Sequence, residues 1–360
     1  MGISMKLFLI HICLPGMLIL ALPLAGMILA GNSWAGYLAF PPKPVVISHA
    51  PFSPLVFTIT ALFILSVLYP FVKKALDFES PGRKRLNYPF PGWGTGASAG
   101  LVLFWILAWT RRDWFSPFQA HTFFPLWFCL ILVINGMVYK RQGTCPLENL
   151  KFFVLFPVSA LFWWTFEYLN RFVGNWSYTG SQYAAFQYFL LATLSFSTVL
   201  PAVESVRAYL LSFDLFKRGF RKGLPLKSLD SPAIGLCLLV LSGSVLIFLG
   251  IFPDLLFPFV WISPLGMILG FLILGGRTHV LTPVRSGDFT PVVAYGLAAL
   301  VCGGFWEMFN MYSLARWEYS VPFVQAFHLF EMPLLGYAGY LPFGLECGVI
   351  IHIILEKNET

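Results

Sequence analysis

The sequence predicts an all-α, polytopic membrane protein with ten transmembrane helices, and three observations lead to this prediction. The 360-residue chain is 58% hydrophobic and only 11% charged, whereas soluble domains average roughly 25% charged residues. Ten apolar runs, most of them near 20 residues, recur along the chain, and such runs are long enough to cross about 30 Å of hydrocarbon. Lysine and arginine are concentrated in alternate short loops between these runs, as the orientation rule for membrane proteins requires.

The first 93 residues form an N-terminal region of two spans, at about 7–30 and 54–72. Lys6 precedes the first apolar run, which is long for a signal peptide and has no clear cleavage site. We therefore expect an uncleaved first span. A Pro-rich loop around Lys43 separates the two spans. The loop after the second span is basic and contains Lys73, Lys74, Arg83, Lys84 and Arg85.

Two units of four spans follow, and a basic cytoplasmic loop at 212–231 separates them. The first unit, residues 94–211, has spans at about 94–110, 121–139, 152–170 and 184–210. The second unit, residues 232–360, has spans at about 232–251, 256–275, 290–310 and 325–353.

Charge asymmetry predicts that both termini are cytoplasmic. Of the 23 lysines and arginines, only five fall in loops on the opposite side, namely Lys43, Arg111, Arg112, Arg171 and Arg316. The positive formal charge of +7 is explained by this distribution, so we expect no nucleic-acid partner. A cytoplasmic membrane of a bacterium or archaeon, a cell inner membrane, is the predicted location.

Two segments about 140 residues apart share the order E-x-x-N, W-x-Y and L-P, which indicates an internal repeat. The matched pairs are Glu167/Glu307 and Asn170/Asn310 at an offset of 140, followed by Trp176/Trp317, Tyr178/Tyr319 and Pro201/Pro342 at 141. Because an even number of spans separates the copies, the repeat is parallel. We predict that the two four-helix units superpose about the membrane normal, with Glu167 on Glu307.

Glutamates inside the apolar runs are the candidate catalytic residues: Glu167, Glu204, Glu307 and Glu346. A carboxylate at the bilayer centre costs at least about 2.5–3.5 kcal/mol, so each one must be paired, protonated or near water. The candidate substrate-binding residues are Asn170, Asn310, Trp176, Tyr178, Trp317, Tyr319, His328 and Glu331. His328 and Glu331, at i and i+3 of the last span, offer one face for a metal, but no third ligand is evident and no metal site is predicted.

Structural roles compete with these assignments. A buried glutamate can simply bond to Asn, Trp or Tyr and hold helices together, and Arg207 offers Glu204 an ion pair one helical turn away. The tryptophans and tyrosines of the W-x-Y segments can be ordinary interface aromatics.

The repeated pattern resembles the membrane lycopene cyclase domain and related carotenoid-end-modifying proteins. The resemblance rests on Asn310, Trp317-x-Tyr319, Leu341-Pro342 and Glu346, and on the matching residues of the first half. The family has an L-P-x-E-E-type segment in a transmembrane helix and often occurs as two homologous halves. In this chain a single glutamate stands three or four residues after the proline. Asn170 and Asn310 occupy the place before W-x-Y where the family has an acidic residue.

The resemblance implies an isomerase of carotenoid biosynthesis that protonates a C=C bond of an isoprenoid and needs no cofactor. Glu346 would be the neutral acid and Glu204 its partner or pseudo-equivalent, with Glu307 and Trp317 shaping the outer end of the cavity. Aromatic faces would stabilise the carbocation. Two alternatives stay open: a proton-coupled carrier of a lipid or small acid, and a non-catalytic subunit bound to a membrane-protein partner. We further expect Glu346 to lie in an internal cavity between the two halves.

Overall fold

A computed structural model describes residues 9–42, 48–80, 87–180 and 182–355. The basic residues Lys6, Lys43, Arg83, Lys84, Arg85 and Lys357 lie outside the described residues. Within the described part, eight helical segments are long and apolar enough to cross a membrane. The protein is an all-α integral membrane protein.

The helices of the first half of the chain follow the predicted order. They are α1 (Leu14–Leu29), α2 (Pro54–Leu76), α3 (Gly92–Trp109), α4 (Phe123–Gln142), α5 (Leu150–Val173), α6 (Ala185–Phe196) and α7 (Val199–Leu210), with strand β1 (Trp176–Thr179) between α5 and α6.

The second half contains shorter helices and three strands. Its elements are α8 (Asp214–Arg218), α9 (Pro232–Phe248), α10 (Pro253–Leu256), α11 (Ser263–Leu274), α12 (Thr290–Asn310), β2 (Arg316–Tyr319), β3 (His328–Leu329), β4 (Met332–Pro333) and α13 (Tyr340–Leu355).

Local sequence explains where these helices begin and end. The side chain of Asn149 accepts a hydrogen bond from the backbone N–H of Lys151 and so caps the N-terminus of α5. At the other end, Gly174 stops the helix with φ of 62°, a left-handed conformation that glycine adopts without steric cost. Both W-x-Y segments begin shortly after the end of a long helix, α5 or α12.

The predicted spans seven and eight differ from simple crossings. Helix α9 has only 17 residues, and the segment that contains α10 and α11 bends by 51° at residue 262, between Trp261 and Ser263. The count of ten spans depends on these two elements and stays a prediction.

Span six is one candidate span, Ala185–Leu210, in which a two-residue turn separates α6 from α7. Helix α6 ends at Phe196 and α7 starts at Val199, so Pro201 lies in the first turn of α7, where its missing N–H leaves no carbonyl of the helix unpaired. Ser159 of α5 bridges the turn: its hydroxyl donates to the carbonyl of Phe196 at 2.6 Å and accepts from the backbone N–H of Leu200 at 3.0 Å.

The predicted tenth span is also shorter than expected at its start. Residues 325–333 do not extend the helix; they contain the hairpin of β3 and β4, in which His328 pairs with Pro333 and Leu329 with Met332. Phe323, Phe327 and Phe330 have positive φ, which is uncommon for a bulky residue and unfavourable in a helix. The placement of His328 and Glu331 on one helical face was therefore wrong.

The basic loops meet at one end of the helix bundle, here named the basic end. Lys74 donates to the carbonyl of Lys222 at 2.5 Å, and the backbone N–H of Gly223 donates to the carbonyl of Gly287 at 2.7 Å. Arg141 donates to the hydroxyl of Ser212 at 2.6 Å. These contacts join the loops that the charge pattern assigns to the cytoplasm.

Strands β1 and β2 lie at the opposite end, here named the strand end. They pair antiparallel, with Trp176 opposite Tyr319 and Tyr178 opposite Trp317. The register is symmetric with respect to the repeat. The tryptophan of each half lies opposite the tyrosine of the other half in both pairs. The W-x-Y segments of the two halves thus contact each other directly, and the superposition of whole units stays a prediction.

The assignment of the two ends predicts which side of the membrane each faces. In a background without the six native cysteines, Lys222→Cys should react with a membrane-impermeant maleimide only from the cytoplasmic side. Arg316→Cys, beside β2, should react only from the other side. Labelling of both positions from the same side of sealed vesicles would contradict this orientation.

Candidate functional site

Glu167 and Glu307 occupy matching places near the ends of α5 and α12, just before the two strands. Both side chains are buried, because Glu167 is 5% exposed and Glu307 is 0% exposed. Each lies three residues before an asparagine, so the carboxyl and the amide share one face of the helix. This face points to the strand that follows.

Three side chains donate hydrogen bonds to one oxygen of Glu167. The indole N–H of Trp163 lies 3.0 Å from Oε1, that of Trp176 lies 3.1 Å from it, and the hydroxyl of Tyr178 lies 2.6 Å from it. Trp176 and Tyr178 are the W and Y of strand β1. The carboxyl of Glu167 therefore fixes this strand against the end of α5.

The two asparagines hold the strand backbones in the same manner. The amide of Asn170 donates to the carbonyl of Trp176 at 2.7 Å, and that of Asn310 donates to the carbonyl of Trp317 at 2.7 Å. Their Oδ1 atoms accept from the backbone N–H groups of the same two tryptophans, at 3.3 Å and 2.8 Å. These bonds satisfy backbone groups that have no helical partner.

Glu307 is bound by a different set of donors. The hydroxyls of Tyr319 and Tyr340 both lie 2.8 Å from its Oε1. Tyr340 reaches this position because Gly303 stands where the first half has Trp163: a Cβ on Gly303 would lie 2.3 Å from the ring of Tyr340. In place of an indole from its own helix, the second half uses a phenol from α13.

The strand tyrosines act as donors because they stay protonated. Burial, and then the neighbouring Glu307 carboxyl, raise the pKa of Tyr319 well above its usual range. Burial and Glu167 act in the same way on the pKa of Tyr178. Both phenols therefore remain neutral donors throughout the physiological pH range.

Glu204 is committed to an ion pair. Its carboxylate accepts from Nε of Arg207 at 2.7 Å and from Nη2 at 2.5 Å, a bidentate pair within α7. Both residues line a cavity of about 250 Å³ at the basic end. Glu204 therefore lies far along the bundle from the W-x-Y strands, in a separate polar site.

Glu346 is the least bonded of the four glutamates. It lies in α13 with 1% of its surface exposed, and its Oε2 atom is buried and forms no hydrogen bond with any described residue. It does not line the 250 Å³ cavity of Glu204, nor a second cavity on the outside of α3. The expected cavity around Glu346 is not one of these two.

An aromatic cluster lies one helical turn from Glu346. The ring of Phe343 has its centroid 5.7 Å from that of Trp163, 5.5 Å from that of Trp261 and 6.1 Å from that of Trp306. Trp261 in turn stacks on Trp176 of β1 at 5.7 Å. The cluster therefore connects the surroundings of Glu346 with the strand end.

His328 and Glu331 lie apart from this cluster, in the hairpin. His328 is exposed, and its Nε2 lies 3.2 Å from the amide nitrogen of Gln325. Among the described residues, no group of three or more His, Cys, Asp or Glu side chains is arranged to hold a metal ion.

Some site residues were missed by sequence reasoning. Trp163 precedes Glu167 by four residues, so the i, i+4 helical spacing was a signal for it. Tyr340 bonds to Glu307 from 33 residues away along the chain, and no local pattern indicates such a contact. Phe343 and Trp261 are further members of the cluster that only tertiary packing reveals.

Comparison of the chain with protein-family models, curated proteins and solved structures finds no match.

Gly303→Ala should destabilise the protein. The added methyl group forces Tyr340 away from Glu307, and we expect a loss of about 1–3 kcal/mol from overpacking. The measurement is the thermal unfolding midpoint in detergent. Gly304→Ala is the matched control, because a Cβ there meets nothing within 4 Å and alanine favours a helix over glycine by about 1 kcal/mol. Equal midpoints for the two variants would contradict the role of Tyr340.

Replacement of Glu167 by leucine should be far more harmful than replacement by glutamine. Leucine leaves three donors without an acceptor, each at a cost of about 1–3 kcal/mol if it stays buried. Glutamine retains a carbonyl oxygen of similar reach. Thermal unfolding of Glu167→Leu and Glu167→Gln tests this, and a leucine variant as stable as the glutamine variant would show that the donors do not depend on Glu167.

Proposed function

We propose that this integral membrane protein is an enzyme that protonates a C=C bond of an apolar isoprenoid, with Glu346 as the acid. The observation that carries the proposal is that Glu346 is buried, one turn from an aromatic cluster, and has an unbonded Oε2 atom. Oε2 of Glu307 is also buried and unbonded, but Oε1 of Glu307 accepts two hydrogen bonds. The other three buried glutamates have donors or an ion pair, whereas no described residue donates a hydrogen bond to Oε2 of Glu346 or forms an ion pair with it.

Physical chemistry favours the neutral form of such a group. An ionised carboxylate loses its water on burial and needs a cation or several donors in return, while a neutral carboxyl loses much less. We therefore assign Glu346 the protonated state. A protonated carboxyl can give its proton to a substrate, which an ionised one cannot do.

The surrounding rings suit the charge that the reaction creates. When the O–H bond of Glu346 breaks and a C–H bond forms, the substrate becomes a carbocation and Glu346 a carboxylate. The faces of Trp163, Trp261 and Trp306 attract a cation by about 0.5–2 kcal/mol each. A second double bond of the substrate then attacks the cation, which moves the positive charge to another carbon. A C–H bond next to that carbon breaks, its electron pair forms a new C=C bond and its proton returns to the Glu346 carboxylate, so the net reaction is an isomerisation without a co-reactant.

Substrate entry requires the cluster to open. Phe343 is 1% and Trp306 4% exposed, so the rings pack closely in this structure. Gly344 and Gly348 bring α13 against α12, since a Cβ on either would contact Tyr295 at under 3 Å. In our proposal the apolar chain enters from the bilayer by displacement of α13 from its neighbours.

A lipid extract of a deletion strain tests the function. We expect altered isoprenoid or carotenoid species, restored by the wild-type gene and by Glu148→Gln, the same change at an exposed glutamate. Glu346→Gln should fold but lower turnover by at least about 100-fold, the usual contribution of a general acid.

Other outcomes would replace the proposal. Full restoration by Glu346→Gln would return Glu346 to a packing role. Unchanged lipids with altered uptake of a lipid or small acid would favour the carrier, and unchanged lipids and uptake would favour the non-catalytic subunit.

A further inference from the structure

The cavity at the basic end has features of a built site that the proposed function does not use. Its volume is about 250 Å³. It lies where α4 ends, α5 begins, and α7 and α13 approach the membrane surface. The lining residues are Val138, Gln142, Thr144, Cys145, Pro146, Asn149, Phe152, Glu204, Arg207, Ala208 and Leu355. Val138, Phe152 and Glu204 are buried, and the exposed polar residues, here named the rim, are Gln142, Thr144 and Asn149.

Arg207 is held in a defined orientation in this cavity. Glu204 binds its Nε and Nη2 atoms in a bidentate manner, and the guanidinium carbon lies 5.0 Å from the ring centroid of Tyr295. One edge and one face of the guanidinium are thus occupied. The side chain of Arg207 nevertheless remains 25% exposed, whereas that of Glu204 is 5% exposed.

The remaining edge of the guanidinium is available to a ligand. A guanidinium has five N–H donors, and the pair with Glu204 uses two of them. Nε and Nη2 bond to Glu204, and the only other side chain that interacts with Arg207 among the described residues is Tyr295. The free edge, formed by Nη1 and the second N–H of Nη2, has the fork geometry that binds carboxylate or phosphate through two parallel hydrogen bonds.

The second copy of the L-P segment has no counterpart of this ion pair. At the offset of 141 that aligns the two L-P segments, Glu204 corresponds to Leu345 and Arg207 to Gly348. The matching helix α13 therefore packs without an ion pair. A buried ion pair also contributes little net stability compared with apolar residues, so a specific role for Arg207 is the simpler explanation.

The surroundings favour an anion. Lys140 and Arg141 are in the last turn of α4, next to Gln142 of the rim, although Arg141 also bonds Ser212. One exposed carboxylate, Glu148, opposes them beside Asn149, and the excess of positive charge concentrates anions. Asn149 of the rim caps α5, a 24-residue helix whose N-terminal dipole adds to the effect. The position at the end of the helices matches the depth of lipid headgroups, where basic pockets between helices bind lipid phosphates.

We propose that this cavity is a phosphate-binding site in which Arg207, oriented by Glu204 and Tyr295, binds a phosphate ester through its free edge. The site is separate from Glu346 and does not depend on the proposed enzymatic function. The phosphate belongs to a lipid headgroup or to a soluble phosphate, and both sources share the same recognition chemistry.

Binding to the purified full chain in detergent distinguishes the two sources. The probes are inorganic phosphate, dioleoyl phosphatidylglycerol, and dioleoylglycerol, which has the same chains without phosphate. We expect native mass spectrometry to detect retained phosphatidylglycerol and a matching rise in the thermal unfolding midpoint, with no effect of dioleoylglycerol. A rise with inorganic phosphate alone assigns the site to a soluble phosphate, and both results support the proposal.

Variants test the residues. Arg207→Lys keeps the charge and the pairing with Glu204 but removes the fork, and we expect binding about tenfold weaker, the effect of one lost charge-assisted hydrogen bond. Ala208→Phe fills the cavity without altering a charge and should abolish binding even if Arg207→Lys fails to fold. Arg218→Lys is the control, because Arg218 is a half-buried arginine of the same end that does not line the cavity and is paired with Asp214 at 3.6 Å.

Two results would overturn the proposal. One is the absence of binding of both phosphate probes to the wild-type chain. The other is that Ala208→Phe and a folded Arg207→Lys bind the phosphate probes as strongly as Arg218→Lys does. A general attraction of anions to the basic end would give that result.

Discussion

The lack of water in hydrocarbon is the constraint on which this structure depends. Any strand or loop near the membrane must find partners for its backbone groups within the protein. Strands β1 and β2 meet this requirement by pairing with each other and through the amides of Asn170 and Asn310, which each bond a tryptophan backbone on both its N–H and C=O sides. The glutamates next to these asparagines then fix the aromatic side chains. Both copies of the motif thus close the strand end of the bundle.

The two halves supply donors to Glu167 and Glu307 from different residues. Trp163 supplies a donor to Glu167 from the same helix, whereas Gly303 opens the space for Tyr340 of α13 to bond Glu307. That bond connects the strand end to the helix that contains Glu346. A movement of α13 that admits substrate would break this bond. In the proposed reaction, access to Glu346 is therefore linked to the hydrogen bonding of Glu307 with Tyr340.

The glutamates also divide by their partners, and electrostatics explains the division. Glu167 and Glu307 receive neutral donors, Glu204 receives a guanidinium, and Oε2 of Glu346 receives no donor among the described residues. A charge is tolerated in an apolar interior only with compensation. Glu346 lies one helical turn from Phe343, whose ring contacts three indoles, and its Oε2 has no compensating donor among the described residues. This combination is the physical basis of our functional proposal.

The sequence by itself determined the membrane class, the approximate place of most helices and the match of the E-x-x-N and W-x-Y motifs between the two halves. Hydropathy and spacing are local properties, so no tertiary contact was needed for these predictions. It also indicated the ion pair of Glu204 with Arg207, since i and i+3 positions are neighbours on any helix. The hairpin of His328 and Glu331, the turn before Val199 and the bend at 262 depended on tertiary contacts. The same holds for the partners of each glutamate: Tyr340 contacts Glu307, and the aromatic rings surround Phe343, only because distant helices pack together. Those contacts decide which carboxyl fixes a strand and which has no donor to its Oε2 among the described residues.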